Sequence, residues 1–378
     1  MHFFRNIGLI CVGSFIVLST NASNININDL RIAVDLSNAV FCEEDYGKGC
    51  IESYNFLGRS KVPANVNLYT QNLPASQLVQ SSSGIKDNIP KDSQLYPLIK
   101  SISNNKGSIN DRNDPVQAFS IYDKDTNTAY IAIRGSVNLI NWLIDATITS
   151  TKFGDDENVR VHLGFKLQLE ATLKTPIIDR KTGKPVIDDK TGKEITLQSW
   201  IDAIRNEHNP DFVVTGLSLG GATSMLLGAT LLDQGVSPDN LKVITFGQPA
   251  VGLWGFVSKY QPQLQDSYMM VRNIGDPNKS FDSFYPSSIG DPIVVSTSPF
   301  TYRHFANQLV ISEDRFHYFV DTLPSYIPEQ FKYLLSLHNR TNYADFICSC
   351  NPLKEHCDSR LRNDNDLSMD KISCKLES

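Results

Sequence analysis

A serine placed between two glycines, where an apolar strand runs into an apolar helix, constrains the fold of this chain more than any other feature. The segment FVVTGLSLGGATSMLLGATLL (212–232) predicts a buried strand that turns at Ser218 directly into a helix. Gly216 and Gly220 let strand and helix pass closely, while the serine adopts a strained backbone that projects its Oγ. Ser218 is therefore a candidate nucleophile, and the Leu219 N–H at the helix start is a candidate oxyanion donor. A glycine-rich turn with an incidental serine is the alternative.

Short apolar runs in the middle of the chain predict the strands of one sheet. The runs Val116–Tyr122 and Ala129–Ile133 are joined by the turn cluster DKDTNT and predict a hairpin. The later runs Phe212–Val214, Val243–Phe246 and Tyr268–Val271 are brief apolar strands, and an apolar helical stretch separates the first two. Strands that alternate with helices favour a largely parallel sheet covered by helices on both faces. The sequence therefore predicts an α/β fold.

The start of the chain has the pattern of an export signal. Residues 1–22, MHFFRNIGLICVGSFIVLSTNA, combine a basic residue, an apolar run and small residues suited to cleavage after Ala22. The apolar run is shorter than the roughly 20 residues of a membrane-spanning helix. We therefore expect a signal peptide and a secreted protein, extracellular or periplasmic, with an uncleaved anchor as the alternative.

The cysteines agree with export. Of the seven, Cys11 lies in the leader, and the remaining even number favours disulfides in an exported chain. Cys42 and Cys50 are the natural local pair, and the rest tie the tail, residues 347–378, to itself or to the body. The connectivity stays open. A zinc site is the alternative, but a Cys-Ser-Cys spacing fits it poorly and we expect no metal. Its ligands would be Cys348, Cys350, His356 and Cys357.

Residues 23–346 are predicted to form one large domain with insertions. Its first part, 23–115, contains a predicted helix over Asp29–Phe41 and a Ser/Asn/Pro-rich stretch without a sustained period. Further on, DRKTGKPVI is echoed by DKTGKEIT, and each Thr-Gly-Lys is typical of a turn. Residues 179–196 therefore predict an exposed, inserted hairpin, with a basic docking surface as the alternative.

Several segments, in order, resemble the class 3 lipases, the fungal-lipase-like family. They are AYIAIRGSVNLINWLIDATI (129–148), VHLGF (161–165), TFGQPAVG (245–252), YRHFANQLVI (302–311) and HNRTNYADF (338–346). The resemblance covers about Val116 to Phe346. It implies an α/β-hydrolase fold with a short lid, and cleavage of lipid esters by a Ser-Asp-His triad through an acyl-enzyme. The chain departs from the family in having Leu217 where histidine is usual and Ala250 where arginine is usual.

The catalytic base of this fold follows the nucleophile and the acid along the chain. The downstream candidates are His304, His317 and His338. His338 matches the family's catalytic-histidine segment, with Tyr343 five residues later, whereas His304 matches a structural histidine. We therefore expect His338 to be the base; an exposed loop histidine is the alternative.

Two aspartates are candidates for the acid that orients the base. Asp276 directly follows a predicted strand in VRNIGDP, and Asp291 lies in a second Ile-Gly-Asp-Pro sequence. The segment from Asp276 to Tyr302 is longer than the family's Asp-x-Val-Pro segment. We favour Asp276 and keep Asp291 as its rival; a solvated turn aspartate is the structural alternative for either.

The segment after the second predicted strand supplies the remaining site residues. The resemblance places the second oxyanion donor at Ser136, after an Arg-Gly pair; an ordinary turn serine is the alternative. It also assigns the apolar segment with Trp142 and Leu143 to a lid that swings onto lipid. Periodicity alone fits a buried core helix equally well.

The sequence thus predicts a secreted ester hydrolase of the triacylglycerol lipase type that needs no cofactor. Its partner would be a lipid ester at a membrane or emulsion interface, and we expect a monomer. A phospholipase A or short-chain esterase on the same scaffold is an alternative, and so is a non-catalytic lipid-binding relative. Ser218, His338 and an available aspartate argue against the last. The net charge of −6, with both signs interspersed, gives no nucleic-acid footprint.

Overall fold

The computed structural model of the protein describes residues 17–18, 24–25, 27–41, 66–72, 116–135, 150–179, 182–273, 302–305, 308–311, 337–338 and 343–344. The described strands are β1 (Val17–Leu18), β2 (Val66–Asn72), β3 (Val116–Asp123), β4 (Thr128–Ile133), β5 (Ser150–Lys152), β6 (Arg160–His162), β7 (Ile178–Asp179), β8 (Lys184–Pro185), β9 (Asp211–Leu217), β10 (Leu241–Phe246), β11 (Tyr268–Asn273) and β12 (Gln308–Ile311). The helices are α1 (Ile27–Ala39), α2 (Leu163–Lys174), α3 (Leu197–His208), α4 (Leu219–Asp233) and α5 (Trp254–Tyr260), with a 3₁₀ turn over Pro238–Asn240.

The main sheet has a parallel centre and an antiparallel extension. Its strand order is β1-β12-β11-β10-β9-β4-β3-β2-β7-β8. The neighbours from β4 through β9, β10 and β11 to β12 are parallel, as the alternation of strands and helices predicts. The predicted hairpin is also confirmed, because β3 and β4 pair antiparallel from Ala118 with Ile133 to Asp123 with Thr128. Beyond β3, the strands β2, β7 and β8 continue the sheet antiparallel.

Helices cover both faces of this sheet. Successive strand residues point to opposite faces, so neighbours on β9 mark the two sides. Val214 joins the apolar cluster that α4 forms with β10, including Met225 and Val243. The side chain of the next residue, Thr215, instead makes a buried hydrogen bond to Ser37 of α1. The described residues therefore form the α/β-hydrolase arrangement, with α1 on one face and α4 on the other.

The N-terminal helix α1 is fixed to the sheet by polar contacts. Lys242 Nζ lies 2.9 Å from both carboxylate oxygens of Asp29, near the start of the helix. Near its end, Ser37 Oγ and Thr215 Oγ1 are 2.8 Å apart, and Thr215 Oγ1 also donates to Ala33 O over 3.2 Å. These contacts attach α1 to the two adjacent central strands, β9 and β10.

Residues 179–196, predicted as an inserted hairpin, contain two consecutive tight turns between α2 and α3. β7 and β8 pair across the first turn, and a bridge between Ile187 and Glu194 closes the second. The turns have Gly183 and Gly192 at φ 66° and 67°, which glycine adopts without steric cost. The insertion also extends the main sheet, because β7 pairs with β2.

Several predictions about the chain ends fall outside the described residues. These are the cysteines beyond the leader, the proposed zinc ligands and the tail 347–378. Within the predicted leader, Val17–Leu18 pair antiparallel with β12. A helix long and apolar enough to cross a membrane does not occur in the part of the chain that the structure describes.

Candidate active site

Ser218 lies at a strained turn between β9 and α4. Its backbone has φ 61° and ψ −129°, and the residue is 1% exposed. The other described non-glycine residues with positive φ are Asn127 and Asn209, a residue type that tolerates the left-handed region. Serine rarely adopts this region, so its neighbours must stabilise it. One such contact is the hydrogen bond of 2.9 Å from Ser218 N to Phe246 O.

One glycine on each side of Ser218, Gly216 before it and Gly220 after it, makes the turn sterically possible. A Cβ on Gly216 would lie 2.5 Å from the carbonyl of Gly220 and 2.7 Å from Ile133 O. A Cβ on Gly220 would collide with the same Ile133 carbonyl. Real Cβ atoms do not approach backbone atoms this closely, so strand β9, helix α4 and the end of β4 can meet only with glycine at both positions. The glycine spacing in the sequence predicted this close passage.

The chain after β4 passes directly beside the serine. A Cβ on Gly135 would lie 2.6 Å from Leu217 O and 3.1 Å from Ser218 Cβ. The candidate oxyanion donor Ser136 is the next residue and lies outside the described residues. The second candidate donor, Leu219 N–H, lies in the first turn of α4. The backbone hydrogen bond from Ala222 N to Ser218 O, 3.1 Å long, begins the helix, so the Leu219 N–H precedes the intrahelical bonds.

His338 lies at the same edge of the sheet as Ser218. The residue is 4% exposed. Asn273, at the carboxyl end of β11, donates from Nδ2 to Leu337 O over 3.1 Å and from its backbone N–H to the Tyr343 hydroxyl over 3.4 Å. Carboxyl ends of neighbouring parallel strands meet at one edge, and β9 leads into Ser218 at that edge. The structure therefore brings the segments of the predicted nucleophile and base together.

The other downstream histidine that the structure describes lies in a different segment. His304 is half-buried and follows Arg303, whose backbone N–H donates to Gly252 O over 2.9 Å. This contact joins the segment to the chain after β10, where Gly252 also pairs with Val161. His338 thus follows a residue that is bonded to the end of β11, whereas His304 follows a residue that is bonded to the chain after β10.

Two buried tyrosines, Tyr268 at the start of β11 and Tyr302 next to Arg303, stay neutral. Burial raises the pKa of Tyr268 above its usual range, and its hydroxyl donates to Gln248 Oε1 over 3.3 Å. Burial also raises the pKa of Tyr302 to about 12, although Arg160 nearby lowers it in part. Both hydroxyls are protonated at neutral pH, so neither is a candidate general base.

The remaining predicted site residues lie outside the described residues: Ser136, Trp142, Leu143, Asp276, Asp291 and His317. Within the described ranges, no group of three or more His, Cys, Asp or Glu side chains could bind a metal ion. The contact of Asn273 with the His338 segment was not predicted from the sequence. The sequence marks Asn273 only by its place three residues before the candidate acid Asp276.

Residues 130–278 match the family described as lipase, class 3. This part of the chain is similar to class 3 lipases. Ser218 and both candidate oxyanion donors lie inside the matched residues, as does Asp276, whereas His338 lies beyond them.

Two curated lipases are similar to the chain over part of their lengths. A lipase of Rhizomucor miehei is 29% identical over 127 residues, which are 33% of this chain and 30% of that protein. Triacylglycerol lipase OBL1 of Ricinus communis is 26% identical over 254 residues, which are 60% of this chain and 46% of that protein. The chain therefore matches less than half the length of either relative.

Solved structures of fungal lipases are also similar. A deletion mutant of the Rhizomucor miehei lipase in a propeptide complex has a TM-score of 0.48 at 19% identity, and the match covers 79% of this chain and 70% of that one. The Lip2 lipase of Yarrowia lipolytica has a TM-score of 0.46 at 18% identity and covers 77% of this chain and 82% of that one.

Proposed function

We propose that this protein is a serine hydrolase that cleaves the carboxylic ester bonds of lipids, in the manner of a triacylglycerol lipase. The observation that carries the proposal is the strained conformation of Ser218, at φ 61°, between a parallel strand and the N-terminus of an apolar helix. A turn with this geometry directs the serine Oγ out of the chain and puts backbone N–H groups beside it. Both curated relatives are lipases, which favours lipid esters as substrates.

The proposed reaction proceeds through an acyl-enzyme. His338 accepts the proton of Ser218 as Oγ attacks the ester carbonyl, and Asp276 orients the imidazole. The Leu219 N–H and Ser136 stabilise the resulting oxyanion. The alcohol leaves with the proton from His338, and water then hydrolyses the acyl-enzyme by the same route. This chemistry requires no metal or organic cofactor.

The substrate would be reached at a membrane or emulsion interface. In the proposal, Trp142 and Leu143 belong to a lid beside Ser136 whose apolar side chains insert into lipid when the site opens. A short-chain esterase or a phospholipase A would use the same triad, and only the preferred ester distinguishes these enzymes from a lipase.

Active-site labelling tests the proposed function. A fluorophosphonate probe should label the wild-type protein at Ser218, and p-nitrophenyl esters of graded chain length should be hydrolysed. Ser218→Ala should lower kcat by about 10⁶-fold, because loss of a triad nucleophile has this effect in serine hydrolases. Ser224→Ala, on the same helix, is the matched control and should keep both labelling and hydrolysis. A folded Ser218→Ala protein with wild-type activity would rule the proposal out.

We further propose that the protein is exported and contains disulfides. The mature chain should then begin near Ser23, and Cys42 and Cys50 should be oxidised in unreduced material. Intact-mass and peptide mass spectrometry of the exported protein measure both. Free thiols at these two cysteines would contradict the disulfide part of the proposal.

A further inference from the structure

Asn273, the last residue of β11, is hydrogen-bonded to the chain on both sides of His338. Its Nδ2 donates to Leu337 O over 3.1 Å, and its backbone N–H donates to the Tyr343 hydroxyl over 3.4 Å. All of these residues are buried: Asn273 is 2% exposed, Leu337 1% and Tyr343 0%. The amide contact is made to the carbonyl of the peptide that continues directly into His338.

We propose that Asn273 is a positioning residue for the catalytic base. Its side-chain amide fixes the Leu337 carbonyl, and with it the backbone from which the imidazole of His338 extends. The inference rests on the proposed function, in which His338 accepts the proton of Ser218. Asn273 acts through one backbone group and touches none of the reacting atoms.

The same contacts connect the base segment to the nucleophile. The Tyr343 ring packs against the Phe246 ring, with centroids 6.0 Å apart and an interplanar angle of 66°. The backbone carbonyl of Phe246 accepts the hydrogen bond of 2.9 Å from Ser218 N. Phe246 ends β10 and Asn273 ends β11, and these two strands are paired in parallel. Ser218 is thus bonded to the end of β10, and the segment of His338 is bonded through the Asn273 amide to the end of the adjacent strand β11.

The chemistry of the asparagine side chain matters for this role. Leu337 O is a buried acceptor, so it needs a donor, and an amide supplies one at fixed length from the strand end. A carboxylate cannot donate, and alanine leaves the carbonyl without this donor. Proton transfer needs the imidazole within hydrogen-bond distance of Oγ, so a shift of its backbone lowers the rate. Loss of the amide should therefore reduce catalysis in protein that is still folded.

The test compares Asn273→Ala and the isosteric Asn273→Asp with Ser224→Ala. The control removes a similar buried contact, since Ser224 Oγ donates to Thr215 O over 2.8 Å, but that bond joins α4 to β9. We would measure kcat and KM for p-nitrophenyl butyrate, with kcat expressed per serine titrated at the endpoint of fluorophosphonate labelling. Endpoint titration counts correctly folded sites, so a purely structural role would leave kcat per titrated serine unchanged.

We expect both Asn273 variants to lose about 10- to 100-fold in kcat per titrated serine, with KM within about threefold of wild type. Ser224→Ala should keep the wild-type kcat per titrated serine even if its melting temperature falls. If Asn273→Ala does not fold, the isosteric variant decides. Wild-type kcat per titrated serine in a folded Asn273 variant would overturn the inference alone. A wild-type protein that neither hydrolyses esters nor reacts with the probe would overturn the proposed function, and this inference with it.

Discussion

Ser37 of the N-terminal helix and Thr215 of the central strand share a buried hydrogen bond of 2.8 Å, three residues before the candidate nucleophile. Thr215 Oγ1 also donates to Ala33 O, so one hydroxyl attaches two turns of α1 to β9. The stability of the strand that leads into Ser218 therefore depends on residues near the start of the chain.

Thr215→Val should lower the free energy of unfolding by about 1–3 kcal/mol, because the buried Ser37 hydroxyl loses its hydrogen-bond partner at nearly constant side-chain volume. Urea unfolding followed by circular dichroism measures the change. Ser37→Ala should lower the free energy of unfolding by less in the Thr215→Val protein than in the wild type, because the hydrogen bond between the two residues is already lost there. Full additivity of the two changes would mean that the hydroxyls do not interact.

Gly228 on α4 sets how closely this helix approaches β10. A Cβ at this position would lie 2.5 Å from Val243 Cγ2. Gly228→Ala should therefore destabilise the protein by about 1–3 kcal/mol, as overpacking of a core does. Val243→Ala removes the clashing methyl group, so the double variant should be more stable than the sum of the two single effects. Urea titrations of the two single variants and the double variant, each compared with wild type, give the coupling free energy between the two positions. Additive effects would show that α4 moves away from β10 at no cost.

The elements around the candidate nucleophile were predictable because their signals are local. The glycines at 216 and 220 and the alternation of strands and helices specify the turn at Ser218 and the parallel centre of the sheet. β2 was not predicted, because VNLYTQN alternates only weakly and forms its ladder with β3 and β7, far away in sequence. The contact between Asn273 and Leu337 joins residues 64 positions apart, and no local pattern encodes such a contact.

Replacing Trp142 with alanine tests the proposed lid. We expect a larger loss of activity on emulsified long-chain esters than on soluble short ones, because an interfacial tryptophan contributes only where a lipid surface exists. Parallel assays on a triacylglycerol emulsion and on p-nitrophenyl butyrate give the ratio of the activity on emulsified ester to the activity on soluble ester. Leu167→Ala, which truncates a partly exposed apolar residue of α2, serves as the control and should leave the ratio unchanged. Equal losses on both substrates after the Trp142 change would indicate a buried core helix.

The choice between Asp276 and Asp291 as the acid of the proposed triad can be argued from where β11 ends. Its last residue, Asn273, donates to Leu337 O, so this strand end is already in contact with the segment of the proposed base, His338. Asp276 follows three residues later, and three residues span at most about 10 Å. Asp276 also lies inside the residues that match the lipase family, whereas Asp291 lies outside them.

Asp276→Asn should therefore lower kcat by about 10⁴-fold, because an amide in this place favours the wrong tautomer of the imidazole while it preserves the geometry. Asp291→Asn should lower kcat by at most about tenfold, as a change in a neighbouring loop does. The case for Asp291 rests on its following sequence, since Asp-Pro-Ile-Val resembles the family's Asp-Ile-Val-Pro. Steady-state kinetics on both folded variants, with sites counted by fluorophosphonate titration, decide between them. The opposite ranking would assign the acid to Asp291 and place the extra residues of this segment before the acid instead of after it.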